Sequence, residues 1–195
     1  MEVLKMSTTR PLEVEEYNQI LNLLDTGFTY TNDDGKQKIF RPNIKVKLAL
    51  ILEANLGLRI SDILRLQVKN FKNDKLEITE KKTDKLQYRD INSAITNLIK
   101  DYAILNKLSP NDFLIDIGER AIQKQLKIMC NFLNIQNIST HSFRKMYATQ
   151  QFKNNNNNLY LVKELLNHTS IATTQRYIRV SQKDIDKASK DFLLI

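Results

Sequence analysis

Cysteine and histidine are scarce in this chain, and their scarcity excludes whole classes of chemistry. The single cysteine, Cys130, lies in the apolar run LKIMCNFL, so no disulfide can close within the chain. That fits a reducing cytoplasm. Two histidines, His141 and His168, together with one cysteine cannot supply the ligand spacing of a zinc site. Glycine and proline are equally sparse, at 4 and 3 residues, which leaves little room for flexible linkers and favours long helices. The richest apolar stretch, LALILEANLGL, is interrupted by Glu53 and is too short to span a bilayer. The start, MEVLKMSTTRPLEVEEY, lacks the apolar segment of a secretory signal. A soluble, cytoplasmic protein with no membrane partner is expected.

What is abundant is positive charge. Lys and Arg outnumber Asp and Glu by 30 to 22, giving a net charge of +8 and a pI near 9.5. A polyanion is the natural partner of such a surface, nucleic acid ahead of a membrane. The competing explanation is an AT-rich coding sequence, which would also account for the many Asn and Ile residues. With 195 residues the chain is long enough for one well-buried core, so a single domain is expected.

Periodicity then gives the elements. TTRPLEVEEYNQILNLLD carries threonine cap candidates, an early proline and early glutamates before apolar residues at helical spacing, so a first helix is expected over 11–25. FTYTNDDGKQKIFR alternates about an Asp-Asp-Gly turn and reads as a small exposed hairpin, a surface insertion. NIKVKLALILEANLG is a strongly apolar helix stopped by Gly57, where a left-handed cap costs least. A short helix, ISDILRLQV, follows, and KLEITEKKTDKLQYRDIN predicts a two-stranded hairpin over 75–91. Helices are then expected in SAITNLIKDYAILNK, ERAIQKQLKIMCNFLN and THSFRKMYATQQF, with NNNNN as a polar loop and two short helices near 159–167 and 170–178. The fold class is mainly α with a small antiparallel sheet.

Several residues could carry chemistry. His141 and Arg144, in THSFRKM, are three apart and share a helix face just after a threonine that can cap it. A cation pair there makes an anion grip, strengthened by the helix N-terminus. Arg59 sits in the tight link GLRISD between two apolar helices, a rigid mounting. Lys82 stands at the hairpin turn EKKTDK, with Lys81 and Lys85 as neighbours. His168 and Tyr177 lie nine apart in LLNHTSIATTQRYI. Taken singly, each is compatible with an ordinary solvated or packed residue.

In this order, GLR, a hairpin lysine, HxxR, LLNH and TTQRYI form a compound pattern that resembles the catalytic domain of the tyrosine recombinases, the phage integrase and Xer-type family. The resemblance covers residues 9–180. It implies that Arg59 and Arg144 hold the phosphate, Asp62 supports the site, and Lys82 is the hairpin lysine. It further implies that His141 pairs with Arg144, His168 bonds the scissile phosphate, and Tyr177 is the nucleophile. The activity it implies is site-specific recombination of double-stranded DNA through a 3′-phosphotyrosine, with no cofactor and no metal. No P-loop motif is present.

Two departures bear on this expectation. Only residues 1–10 precede the first helix, so a separate N-terminal clamp domain is expected to be absent, the chain being either a fragment or a naturally minimal recombinase. DNA binding should then be weaker and more salt-sensitive, since fewer phosphates are contacted. Asn167 stands where many relatives have glycine, and asparagine tolerates the left-handed turn. The tail over 181–195 ends in an apolar cluster, DFLLI, which suggests self-association on DNA, dimer to tetramer, or packing on its own domain. A catalytically inactive DNA-binding regulator and a type IB topoisomerase remain alternatives. The recognition sequence and any accessory DNA-bending protein are open.

Overall fold

The computed structural model describes residues 9–79, 81, 84, 86–178 and 182–193. These are mainly helical, with two small antiparallel sheets, the expected class. The chain divides into two compact units between Tyr147 and Ala148, and each is described by itself.

In the first unit, α1 (Val14–Thr26) starts later than its pattern suggests. Glu13 and Glu16 close a reciprocal capping box, and Arg10 grips the Glu16 carboxylate at 2.6 and 2.7 Å, which holds Pro11 outside the helix. The next helix, α2 (Ile44–Leu56), is capped by the Asn43 side chain, which accepts from the Lys45 and Val46 amides. Val46, Leu48, Ala49, Leu50, Leu52 and Leu56 of α2 are all buried. So broad an apolar surface must be covered, and α2 contributes heavily to the core, with Ile44 and Asn55 left exposed.

It ends as expected at Gly57, in the left-handed conformation with φ 61°. The following α3 (Ile60–Ile63) is one turn, shorter than the pattern ISDILRLQV suggests. The Asn70 side chain accepts from the Gln67 amide at 2.7 Å and starts a separate 3-10 turn over Val68–Asn70.

The first hairpin pairs β1 (Phe28–Thr31) with β2 (Gln37–Phe40), Phe28 opposite Phe40. It is less of a surface insertion than its sequence suggests. The Phe28 ring lies 4.8 Å from Phe40 and 4.3 Å from Phe132, the last residue of α5 (Glu119–Phe132). The second sheet has the order β3 (Phe71–Lys72), β4 (Lys75–Thr79), β5 (Leu86–Asp90). The β4–β5 hairpin is the expected one. At two residues, β3 is too short to show any alternation. Leu76 and Ile78 of β4 point into the core, while β5 leads to α4 (Ser93–Leu105). Cys130 on α5 is buried, and burial pushes its thiol up to about 11.

α6 (Thr140–Asn154) contains the division between the units. In the second unit, the asparagine run forms the expected polar loop, with Asn156 and Asn157 left-handed and Asn158 capping α7 (Leu159–Leu165). Two more helices follow, α8 (Ile171–Gln175) and α9 (Gln182–Asp191), the last formed by the tail. Among the described residues no helix is long and apolar enough to cross a membrane.

The cap at Gly57 is tested by one substitution. A Cβ at Gly57 would overlap the Tyr147 ring, in a conformation that already disfavours L-residues. Gly57→Ala should cost roughly 2–4 kcal/mol, read as a lowered midpoint in urea unfolding.

Candidate active site

The C-terminus of α2 gathers arginines. Its last carbonyls have no partner within the helix and carry the negative end of the helix dipole. Arg89, on β5, donates from Nη2 to the Leu56 carbonyl, and Arg144, on α6, donates from Nη1 to the Gly57 carbonyl. Arg144 is completely buried, an unusual placement for a guanidinium. Two residues beyond Gly57, Arg59 occupies the extended position that precedes α3. Its guanidinium stands 3.9 Å from the Asp62 carboxylate.

Asp62 has a second attachment. It is fully buried, and its Oδ1 accepts from the Lys81 backbone amide at 2.8 Å. One carboxylate therefore faces Arg59 and ties α3 to the far end of the β4–β5 hairpin. On α6, His141 lies half-buried one turn before Arg144, so the two occupy one face. The cap of this helix falls one residue earlier than expected. Thr140 is already helical, and the Ser139 amide donates to the Ser142 hydroxyl at 3.1 Å.

Glu53 is the group at this corner whose importance the sequence did not signal. Its carboxyl is completely buried in the last turn of α2, and neither oxygen has a hydrogen-bond partner. Burial pushes its pKa well above the usual carboxylate range; Arg144 opposes the shift and Glu119 reinforces it. The sequence showed Glu53 only as an interruption of an apolar run. A charged residue at helical spacing among leucines was the one available signal.

In the second unit His168 and Tyr177 meet. Their ring centroids are 4.7 Å apart, edge to face at 66°. Three contacts fix the pair. The His168 amide donates to the Lys163 carbonyl at 3.0 Å, its Nδ1 lies 3.0 Å from the Thr174 hydroxyl, and the Tyr177 amide donates to the Thr174 carbonyl at 2.9 Å. Asn167 takes the left-handed conformation, φ 54°, that brings the chain round from α7. His168 is buried and Tyr177 half-buried. Thr174, also buried, is a supporting residue that sequence reasoning passed over, because a threonine in a short helix carries no signal of its own.

Of the residues singled out from sequence, Arg59, Asp62 and Arg144 thus meet around the α2–α3 link, with His141 on the Arg144 face of α6. His168 and Tyr177 meet each other in the second unit. Lys82 lies outside the described residues.

The sequence pattern of the phage integrase family matches residues 10–184. The chain belongs to the phage integrase family. A probable integrase/recombinase of Acholeplasma phage L2 is 28% identical over 182 residues, covering 90% of this chain and 60% of that protein. The probable integrase/recombinase YoeC of Bacillus subtilis (strain 168) is 29% identical over 165 residues, 80% of this chain and 90% of the relative. Among solved structures, the XerH site-specific recombinase bound to palindromic difH substrate, a post-cleavage complex, superposes with a TM-score of 0.71 at 21% identity. That match covers 98% of this chain and 55% of XerH. The fold of this family member is therefore that of the tyrosine recombinase catalytic domain. The chain spans less than two thirds of the phage L2 relative and of XerH.

The buried carboxyl of this integrase-family chain has a consequence for stability. Glu53 titrates higher in the folded protein than in the unfolded chain, where a glutamate has a pKa of about 4.3. Its contribution to stability is fully present below that unfolded value and is lost as pH rises through the folded one. Glu53→Gln keeps the shape without the titration. The variant should gain stability relative to wild type as pH rises from mildly acidic to mildly alkaline, read as a widening gap between their urea midpoints.

Proposed function

We propose that this chain cleaves and rejoins double-stranded DNA at specific sites through a 3′-phosphotyrosine intermediate, with Tyr177 as nucleophile. The observation that carries the reading is the pairing of Tyr177 with His168 at 4.7 Å, with His168 in turn engaged by Thr174, in a member of the phage integrase family. A tyrosine packed only for bulk has no need of a buried imidazole against its ring.

Each residue has a role in the transfer. Tyr177 Oη attacks phosphorus, a P–O(Tyr) bond forms, and the bond from phosphorus to the 5′ oxygen breaks. The phenol gives its proton to His141 acting as base. The departing 5′ oxygen is protonated by Lys82. Arg59 and Arg144 hold the non-bridging oxygens, where negative charge grows, through planar and permanently charged forks. A preorganised donor of this kind is worth about 3–4 kcal/mol of barrier. If the Thr174 hydroxyl donates to Nδ1 of His168, then Nε2 carries the proton and His168 can donate to the phosphate. Asp62 acts through Arg59 and through its bond to the Lys81 amide. Because the phosphotyrosine link conserves the energy of the phosphodiester, a 5′-hydroxyl reverses the step without a nucleotide cofactor or a metal.

Self-association on DNA, dimer to tetramer, belongs to the same proposal. On α9 and just past it, Ile185, Phe192 and Leu193 are exposed, an apolar set that a second copy could cover.

Nicked duplexes tiled across the DNA flanking the gene give the direct test of cleavage. Wild type should form a covalent protein–DNA adduct on at least one duplex, and Tyr177→Phe should form none. Identical gel patterns with no adduct in either would leave a DNA-binding regulator in its place. For assembly, removing residues 184–195 should abolish the slower, multi-protein bands in a mobility-shift gel while the urea midpoint of the monomer holds. Undiminished assembly would assign the tail to its own subunit.

A further inference from the structure

Glu53 is a buried acid for which the proposed reaction has no use. It sits in the final turn of α2, four residues before Gly57, whose amide donates to the Glu53 carbonyl at 3.1 Å. Gly57 in turn gives its own carbonyl to Arg144. The glutamate and the buried guanidinium are therefore fixed to the same turn of the same helix. Two features of this position oppose a negative charge on Glu53: no hydrogen bond reaches either oxygen, and the C-terminal turn already carries the negative end of the helix dipole. One feature favours it, the charge of Arg144.

The other charge that acts on Glu53 is Glu119, at the start of α5. From α1 the titratable group near this turn is Tyr17, hydrogen-bonded to the neighbouring Asn55. From α3 it is Asp62, engaged by Lys81 and Arg59. Among the described residues Arg144 is the cation whose charge acts on Glu53, while Arg89 on β5 is engaged at the neighbouring Leu56 carbonyl.

We propose that Glu53 is a positioning residue for Arg144: neutral while Arg144 holds a phosphate, and, once ionised, a competitor that draws the guanidinium's charge away from it. The idea rests on the phosphate-holding role given to Arg144 above. Its physical content is a coupled equilibrium. A phosphate on Arg144 offsets a charge that favours the carboxylate, so DNA binding and protonation of Glu53 favour each other, each by the same factor. An alanine or leucine here would bring no titrating charge to this turn. A glutamate makes its availability fall with rising pH.

The test compares wild type with Glu53→Gln in single-turnover cleavage of the tiled nicked duplexes, from pH 6 to about pH 9. Titrations of groups other than Glu53 are common to both proteins and cancel in the ratio of rates. That ratio should rise with pH in favour of Glu53→Gln, by up to roughly tenfold for one pKa unit of coupling. A pH-independent ratio would reduce Glu53 to a packing residue and overturn the proposal.

A second measurement does not depend on cleavage or on the folding of that variant. The Glu53 carboxyl is followed by carbon-13 NMR in Tyr177→Phe protein, with and without a saturating duplex at low salt. DNA should raise its titration midpoint, and an unchanged midpoint sinks the coupling. A raised midpoint without an adduct in the wild type on any duplex would uphold the link between Glu53, Arg144 and phosphate while overturning strand cleavage as the function.

Discussion

The last turn of α2 ends in carbonyl groups that its own helix cannot satisfy, and the positions of the arginines around it follow from how they are satisfied. Leu56 and Gly57 are themselves buried, so their carbonyls need partners within the protein. Arg89 and Arg144 take the Leu56 and Gly57 carbonyls, a placement that also suits positive charge at a helix C-terminus. Gly57 then turns the chain so sharply that Arg59 emerges beside them. A backbone requirement has become an electropositive corner.

That corner is held from several directions. The Tyr17 ring meets Phe143, the neighbour of Arg144 on α6, edge to face at 6.1 Å, so α1 helps fix the helix that carries His141 and Arg144. Asn43, the cap of α2, also bonds Gln125 on α5 at 3.1 Å. The buried Asp62 links α3 to Lys81. Substituents mounted on a packed core in this way lose little entropy when they engage a ligand, which is what charge stabilisation in a transition state requires. The second unit solves a smaller problem by shorter means. Thr174 engages His168 through its hydroxyl and the Tyr177 amide through its carbonyl, so a histidine and a tyrosine nine residues apart are fixed by local contacts.

Local patterns were legible wherever one physical constraint dominated. The left-handed residues Gly57 and Asn167 were readable because few residue types tolerate that conformation. The β4–β5 hairpin was readable because its alternation runs for five residues on each side. Boundaries set by side chains were less legible: α1 starts at a Glu13–Glu16 box supported by Arg10, and α3 ends within a turn although its apolar pattern continues. Nothing in a two-residue strand such as β3, or in Phe132 at the end of a helix, announces its partner.

By itself the sequence determined which chemical groups the chain possesses and their order, and that ordered set of arginines, histidines and a tyrosine was enough to point to the family, because chemistry on a phosphodiester demands those residue types. What the tertiary structure alone decided was their environment. That Arg144 is wholly buried against a helix terminus, that Asp62 is shared between Arg59 and a hairpin amide, and that Glu53 is buried with no hydrogen-bond partner are consequences of segments distant in the chain arriving at one place. Burial and charge proximity set how readily such groups hold or release a proton, and neither is a property of any residue until the chain has folded around it.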